Sequence, residues 1–178
     1  MAPTDIQVRL ALSDRNLQVV DEHVDVAVRI GVLSDSGLIA TRVGVMRTVV
    51  CASPALLTRR GTPNTPDDLA RLPCVDFNIR SFTPDWRFRS GHAEIQPRLT
   101  VSSAEAAVWA AIQGIGATRV LHYQCVDAVR DGALQIVLAE FELDPAPVHL
   151  IHVQGRQVPL KTRAFLDFAA QRLRRGLG

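Results

Sequence analysis

The residues able to do chemistry fall into a few short groups. Ser102 and Ser103 precede an alanine-rich run, with Glu105 three positions after Ser102. Ser-x-x-Glu is the spacing of a capping box, so the pair opens a helix. Hydroxyls and backbone N–H groups at a helix N-terminus suit a carboxylate or another anionic group; capping alone is the plainer role for Ser102. Ser13, Asp14 and Arg15 sit where an alternating stretch ends, the position at which α/β proteins build binding sites. An ordinary helix cap beside a solvated arginine explains them as well. Arg29, Ile30 and Gly31 end a second such stretch, and Arg29 can face an anionic ligand or pair with Asp14 or Asp25.

Other groups carry less. His149 and His152 are three apart on a strand pattern and point to opposite faces, so no shared metal is expected. His122 and Tyr123 suit either a cleft lining or a partly buried polar pair. Cys51, Cys74 and Cys125 are odd in number, far apart and in no C-x-x-C, so they read as thiols of the core or near the surface, in a reducing, cytoplasmic compartment. There is no G-x-S-x-G, P-loop, G-x-G-x-x-G or H-E-x-x-H. Gly114-Ile115-Gly116 contains G-x-G, but at a helix end, where no phosphate cradle forms. No base, nucleophile and orienter fall together, so neither catalysis nor a cofactor is expected.

The elements that must position these residues alternate between strand and helix. Ile6–Leu12 (I-Q-V-R-L-A-L) has a period of two and reads as a strand. Leu17, Val20 and Val24 mark a short helix, and Val26–Ile30 a buried strand ending at Gly31. Strand, helix, strand implies a parallel pair. Leu38–Ala52 is too long for one strand in one sheet; it either bends or runs from one lobe into another. Pro54 and Pro66 suit first helical turns after Ser53 and Thr65. Short strands follow at Cys74–Phe77, Asp85–Arg89 and Arg98–Ser102, with a loop over Asn78–Pro84. A helix to Gln113, a strand Ala117–Leu121, a helix Tyr123–Arg130 and strands Leu134–Leu138 and Val148–Val153 come next. A final amphipathic helix covers Pro159–Arg175, with Leu160, Ala164, Phe165, Phe168, Ala169 and Leu173 inward. Two extended crossings, near 46–53 and 138–148, fit two hinged lobes: residues 1–50 with 142–178, and 51–141. Ligands then sit at strand C-termini and helix N-termini of the cleft.

Composition bounds the possibilities. The chain has 178 residues, 47% hydrophobic and 21% charged, enough for a core and wrong for a disordered tail. A net charge of +2 gives no reason to expect nucleic-acid or membrane binding. Lys161 is the only lysine among 20 basic residues, which we read as genome composition. Aromatics, at 5%, are sparse for base stacking. The first residues carry no charged or apolar region of a signal peptide, and no apolar run reaches the ~18 residues of a membrane span.

Several stretches, in order, resemble one family: the effector-binding domain of LysR-type transcriptional regulators. They are L-S-D-R at 12–15, V-V-D-E-H-V-D-V-A-V-R-I-G at 19–31, L-S-D-S-G-L-I-A-T-R at 33–42, C-A-S-P-A-L-L at 51–57 and R-G-T-P-N-T-P-D-D-L at 60–69. S-S-A-E-A-A-V-W-A-A-I-Q-G-I-G at 102–116, P-V-H-L-I-H at 147–152 and R-A-F-L-D-F at 163–168 complete the set. The resemblance spans about residues 5–175. It implies two Rossmann-like lobes of the type 2 periplasmic-binding-protein kind. A small-molecule effector, with an anionic group, would sit between them near Ser102, Ser103, Ser13, Asp14, Arg29 and Gly31, and the chain would form homo-oligomers. It also implies a DNA-binding winged helix-turn-helix that this chain lacks, so DNA binding is not carried over. The family's first strand and helix of lobe one are expected to be missing as well. That leaves a truncated product, a start assigned too far downstream, or a designed fragment. A free-standing solute-binding protein and a non-functional remnant are the alternatives.

Overall fold

The structure is a computed structural model and describes residues 6–13, 24–33, 37–77, 84–153 and 158–177. The chain divides into two compact units, residues 47–145 and residues 1–46 with 146–178. These boundaries lie four residues from those expected, because Val49 and Val50 belong to the core of the first.

The continuous unit is a three-layer α/β structure. Its five-stranded sheet has the order β7-β4-β8-β3-β9, from β3 (Thr48–Ala52), β4 (Cys74–Asp76), β7 (Pro97–Thr100), β8 (Ala117–Leu121) and β9 (Gln135–Val137). β4 is parallel to β7 and β8, while β3 is antiparallel to β8 and β9. Alternation along the strands feeds two clusters, one on each face. Val49, Cys51, Val75 and Val120 pack with α2 (Ala104–Ile112) and α3 (His122–Arg130). Val50, Ala52, Cys74 and Ala117 pack with α1 (Pro54–Arg60), a 3₁₀ turn (Pro66–Arg71) and a hairpin of β5 (Trp86–Phe88) and β6 (Gly91–Ala93). The alanines of α2 let it lie close to the sheet. Leu138 takes a left-handed backbone, φ 59°. That conformation costs a non-glycine residue about 1–2 kcal/mol, and burial of the leucine side chain, about 1.5–3 kcal/mol, offsets it.

The other unit carries a three-stranded antiparallel sheet, order β1-β10-β2: β1 (Ala27–Ile30), β10 (Ala146–Val153) and β2 (Leu38–Met46). α4 (Leu160–Leu177) packs on the face that presents Thr41 and Leu150.

Several expectations are corrected. Ile6–Leu12 forms no strand, and no parallel pair exists in this unit among the described residues; an alternating segment without a neighbour to bond has no ladder to join. The Leu38–Ala52 stretch breaks at Arg47 and passes from one sheet to the other. The short helix expected after Thr65 is a 3₁₀ turn, and hairpin strand β6 is an addition to the expected strands. In α4, Leu160 and Phe168 are 83% and 52% exposed, whereas Thr162 is buried. Ala164, Phe165, Ala169 and Leu173 of the expected inner face are half-buried, as are Leu166, Ala170 and Leu177. The short helix expected over Leu17 and Val20, and most of the Asn78–Pro84 loop, lie outside the described residues.

Candidate functional site

The sheet of the continuous unit has one end where its parallel strands finish. Backbone hydrogen bonds fix that end: the Val101 N–H donates to the Asp76 carbonyl, 2.9 Å, tying the exit of β7 to β4. The Thr118 hydroxyl donates to the Val75 carbonyl, 3.0 Å, inside the core. The chain leaving β7 therefore turns directly through Ser102 and Ser103 into α2.

The helix cap is Ser103, not Ser102. Its Oγ accepts the Ala106 N–H at 3.3 Å. Glu105 then stands second in the helix, too early to close the expected capping box with Ser102. The correction separates two roles. Ser103 is half-buried and uses its oxygen as a cap, while its hydroxyl hydrogen can still donate. Ser102 is exposed beside it. Glu105, exposed in the first turn, repels any anion that approaches from its side.

Around this turn lie residues that the motifs did not flag. Asp76, at the end of β4, is buried and accepts a hydrogen bond from the Trp86 indole, 3.1 Å. Arg119 on β8 is half-buried, 6.0 Å from the Phe88 ring centre. Burial lowers its pKa, and the nearby Asp85 and Asp76 work the other way. A single arginine at an inward position of A-T-R-V-L was the available signal. At the mouth of β3, Arg47 makes two 2.8 Å hydrogen bonds to the Glu142 carboxylate. Its carbonyl accepts the His122 N–H, 2.9 Å, which anchors the start of α3; Tyr123 is exposed.

Of the residues expected in the other unit, Ser13 is exposed in irregular chain and Asp14 lies outside the described residues. Arg29 is half-buried in β1 opposite His149. Gly31 follows β1 with φ 115°, and its N–H donates to the Pro147 carbonyl, 2.9 Å, so its amide is spent on the sheet. His149 and His152 lie on opposite faces of β10, and His152 Nδ1 is 3.1 Å from the Val153 carbonyl. Among the described residues no group of three or more His, Cys, Asp or Glu could hold a metal. All three cysteines are buried thiols. The neighbouring Cys125 sulfur and burial push Cys51 up, while Cys51 draws Cys125 down. Burial pushes Cys74 up to about 12.

Hydroxyls at a helix start, a half-buried arginine and a strand-end turn are groups of the kind that hold small polar ligands. Such a site on a two-unit α/β chain defines the class of small-molecule-binding modules. Residues 3–174 match the family model of the LysR substrate binding domain, and the chain belongs to that family. It is 30% identical over 172 residues to the HTH-type transcriptional regulator CrgA of Neisseria meningitidis, covering 94% of this chain and 58% of CrgA. It is also 30% identical over 176 residues to the uncharacterized HTH-type transcriptional regulator YhjC of Escherichia coli, covering 93% and 57%. The chain thus spans less than two thirds of these curated relatives. The solved CrgA regulatory domain superposes with a TM-score of 0.75 at 31% identity, over 89% of this chain and 78% of that one. Full-length AphB of Vibrio cholerae gives 0.79 at 22% identity, over 94% and 58%, a likeness of fold. The fold is that of the LysR regulatory domains, type 2 periplasmic-binding-protein-like. The relatives are transcriptional regulators rather than enzymes, and no described helix is long and apolar enough to cross a membrane.

Proposed function

We propose that this chain is the effector-sensing part of a cytoplasmic bacterial transcriptional regulator and that its effector carries a carboxylate or similar anionic group. The observation that carries the reading is the Ser102–Ser103 turn at the shared end of β4 and β7. An exposed hydroxyl, a capping hydroxyl with a hydrogen to donate, and the N-terminal end of α2 converge there. The effector binds one conformation better than another and shifts their populations by that difference. In the longer regulator the shift repacks oligomer contacts and repositions DNA-binding heads.

A thermal-shift screen with aromatic and short aliphatic carboxylates tests this. Hits are expected, and Ser102→Ala or Ser103→Ala weakens them about tenfold, the loss of one hydrogen bond to a charged group, ~1.4 kcal/mol or more. Hits that neither substitution weakens overturn the site; titration of Ser103→Ala must be referred to its own unliganded melting temperature.

A further inference from the structure

Arg119 is the only charged residue of β8, and it sits where the parallel strands finish. Cys74 pairs with Ala117 and Val75 with Thr118, so the next step sets Arg119 level with Asp76. Asp76 is in turn level with Thr100 on β7. Alternation puts Arg119 on the face of Ala117, which Trp86 and Phe88 of the hairpin cover. α2, capped by Ser103, packs on the opposite face.

The Arg119 guanidinium lies 6.0 Å from the Phe88 ring centre, and it makes no hydrogen bond or ion pair among the described residues. The charges that face it are Asp85, Arg87 and Asp76. Both carboxylates are turned to other donors. Asp85 takes Arg87 at 2.6 Å and His92 Nδ1 at 2.8 Å, and Asp76 accepts the Trp86 indole at 3.1 Å. A charge drawn out of water is costly unless it is paired. The N–H donors of an arginine form a fixed planar fork that matches the two oxygens of a carboxylate.

We propose, on the reading of the serine turn as the anchor of one anionic group, that Arg119 takes a second, so that the effector is a dianion with a carboxylate at each end. β4 stands between β7 and β8, so Arg119 and Thr100 are about 10 Å apart, two strand spacings. Ser102 and Ser103 follow Thr100 by two and three residues, toward α2. One carboxylate is too small to engage both points. An extended molecule crossing the end of the sheet engages them together, and Arg87 adds positive charge at the Arg119 end.

Calorimetric titration of the full chain with matched ligands tests this: glutarate, adipate, suberate and terephthalate against pentanoate, hexanoate, octanoate and toluate. The best dicarboxylate is expected to bind at least ~10-fold tighter than its monocarboxylate, the worth of one more hydrogen-bonded charge. Arg119→Gln brings that ratio to within about twofold. Arg119→Lys keeps the charge but loses the fork, and leaves an intermediate ratio. Ser103→Ala weakens both classes and preserves the ratio. Without ligand, Arg119→Gln melts no lower than the native chain, because no protein partner is lost; a clear fall would make the arginine structural and overturn the assignment. Equal affinity for the two classes, or a dicarboxylate preference that survives Arg119→Gln, overturns the second anchor and leaves the serine turn standing. Binding of neither class overturns both.

Discussion

At the scale of single residues, the 3₁₀ turn shows how local chemistry sets a charge. The Asp68 carboxylate accepts the N–H groups of Asn64 and Thr65, each at 2.9 Å, and pairs with Arg71. The backbone bonds are the main cause that holds its pKa down to about 2. A depressed folded pKa means stability present above the unfolded value, near 3.9, and lost as pH falls through about 2. The stability difference between the native chain and Asp68→Asn is therefore expected to be steady from pH 7 to 5 and to close between about pH 4 and 2. Urea melts at stepped pH check it; a difference that stays flat to pH 2 would show that the carboxylate is not held by these bonds. Thr65 as the start of this turn was legible in the sequence because helix-start signals are local. Ser103 as the true cap was not, since two adjacent serines compete and the choice depends on where β4 holds the exit of β7. Arg119 was missed for a related reason: its surroundings, Phe88, Asp76 and Asp85, come from other parts of the chain.

At the scale of elements, the close packing of β8 on β4 rests on Gly116. A Cβ there would stand 2.7 Å from the Pro73 carbonyl oxygen and 2.8 Å from the Cys74 carbonyl carbon. Both are backbone atoms, and the Ala117 N–H already bonds that Pro73 oxygen at 2.8 Å, so neither strand can retreat without breaking the ladder. Gly116→Ala is expected to cost about 1–3 kcal/mol, the range of overpacked cores. Gly44 also faces a close contact, 2.6 Å, but with Leu177 Cβ in the last turn of α4, where relief comes from a small shift of a helix end that no strand ladder holds. Gly44→Ala should cost clearly less in the urea midpoint. Equal effects would mean that the β4–β8 ladder adapts more than its geometry suggests. The sequence signalled close approach at Gly114-Ile115-Gly116; the partner was invisible because it lies about forty residues upstream.

At the scale of the whole molecule, both hydrophobic clusters fall within residues 49–138, inside a unit formed by one continuous stretch. A fragment of residues 47–145, about 100 residues and so an ordinary domain size, is expected to melt cooperatively by itself. A non-cooperative melt, or poor dispersion of its amide resonances, would refute that. The sequence by itself determined the alternation of strands and helices, the family and the serine turn, because periodicity, capping and motif order are local properties. It also placed a passage between sheets within residues 46–53. Only the tertiary structure decided that Ile6–Leu12 pairs with nothing described, that β1 runs antiparallel to β10, and that Leu160 and Phe168 of α4 stay exposed while Thr162 is buried. Those outcomes depend on which distant strand is present to accept a hydrogen bond, and a residue's own neighbours do not encode that.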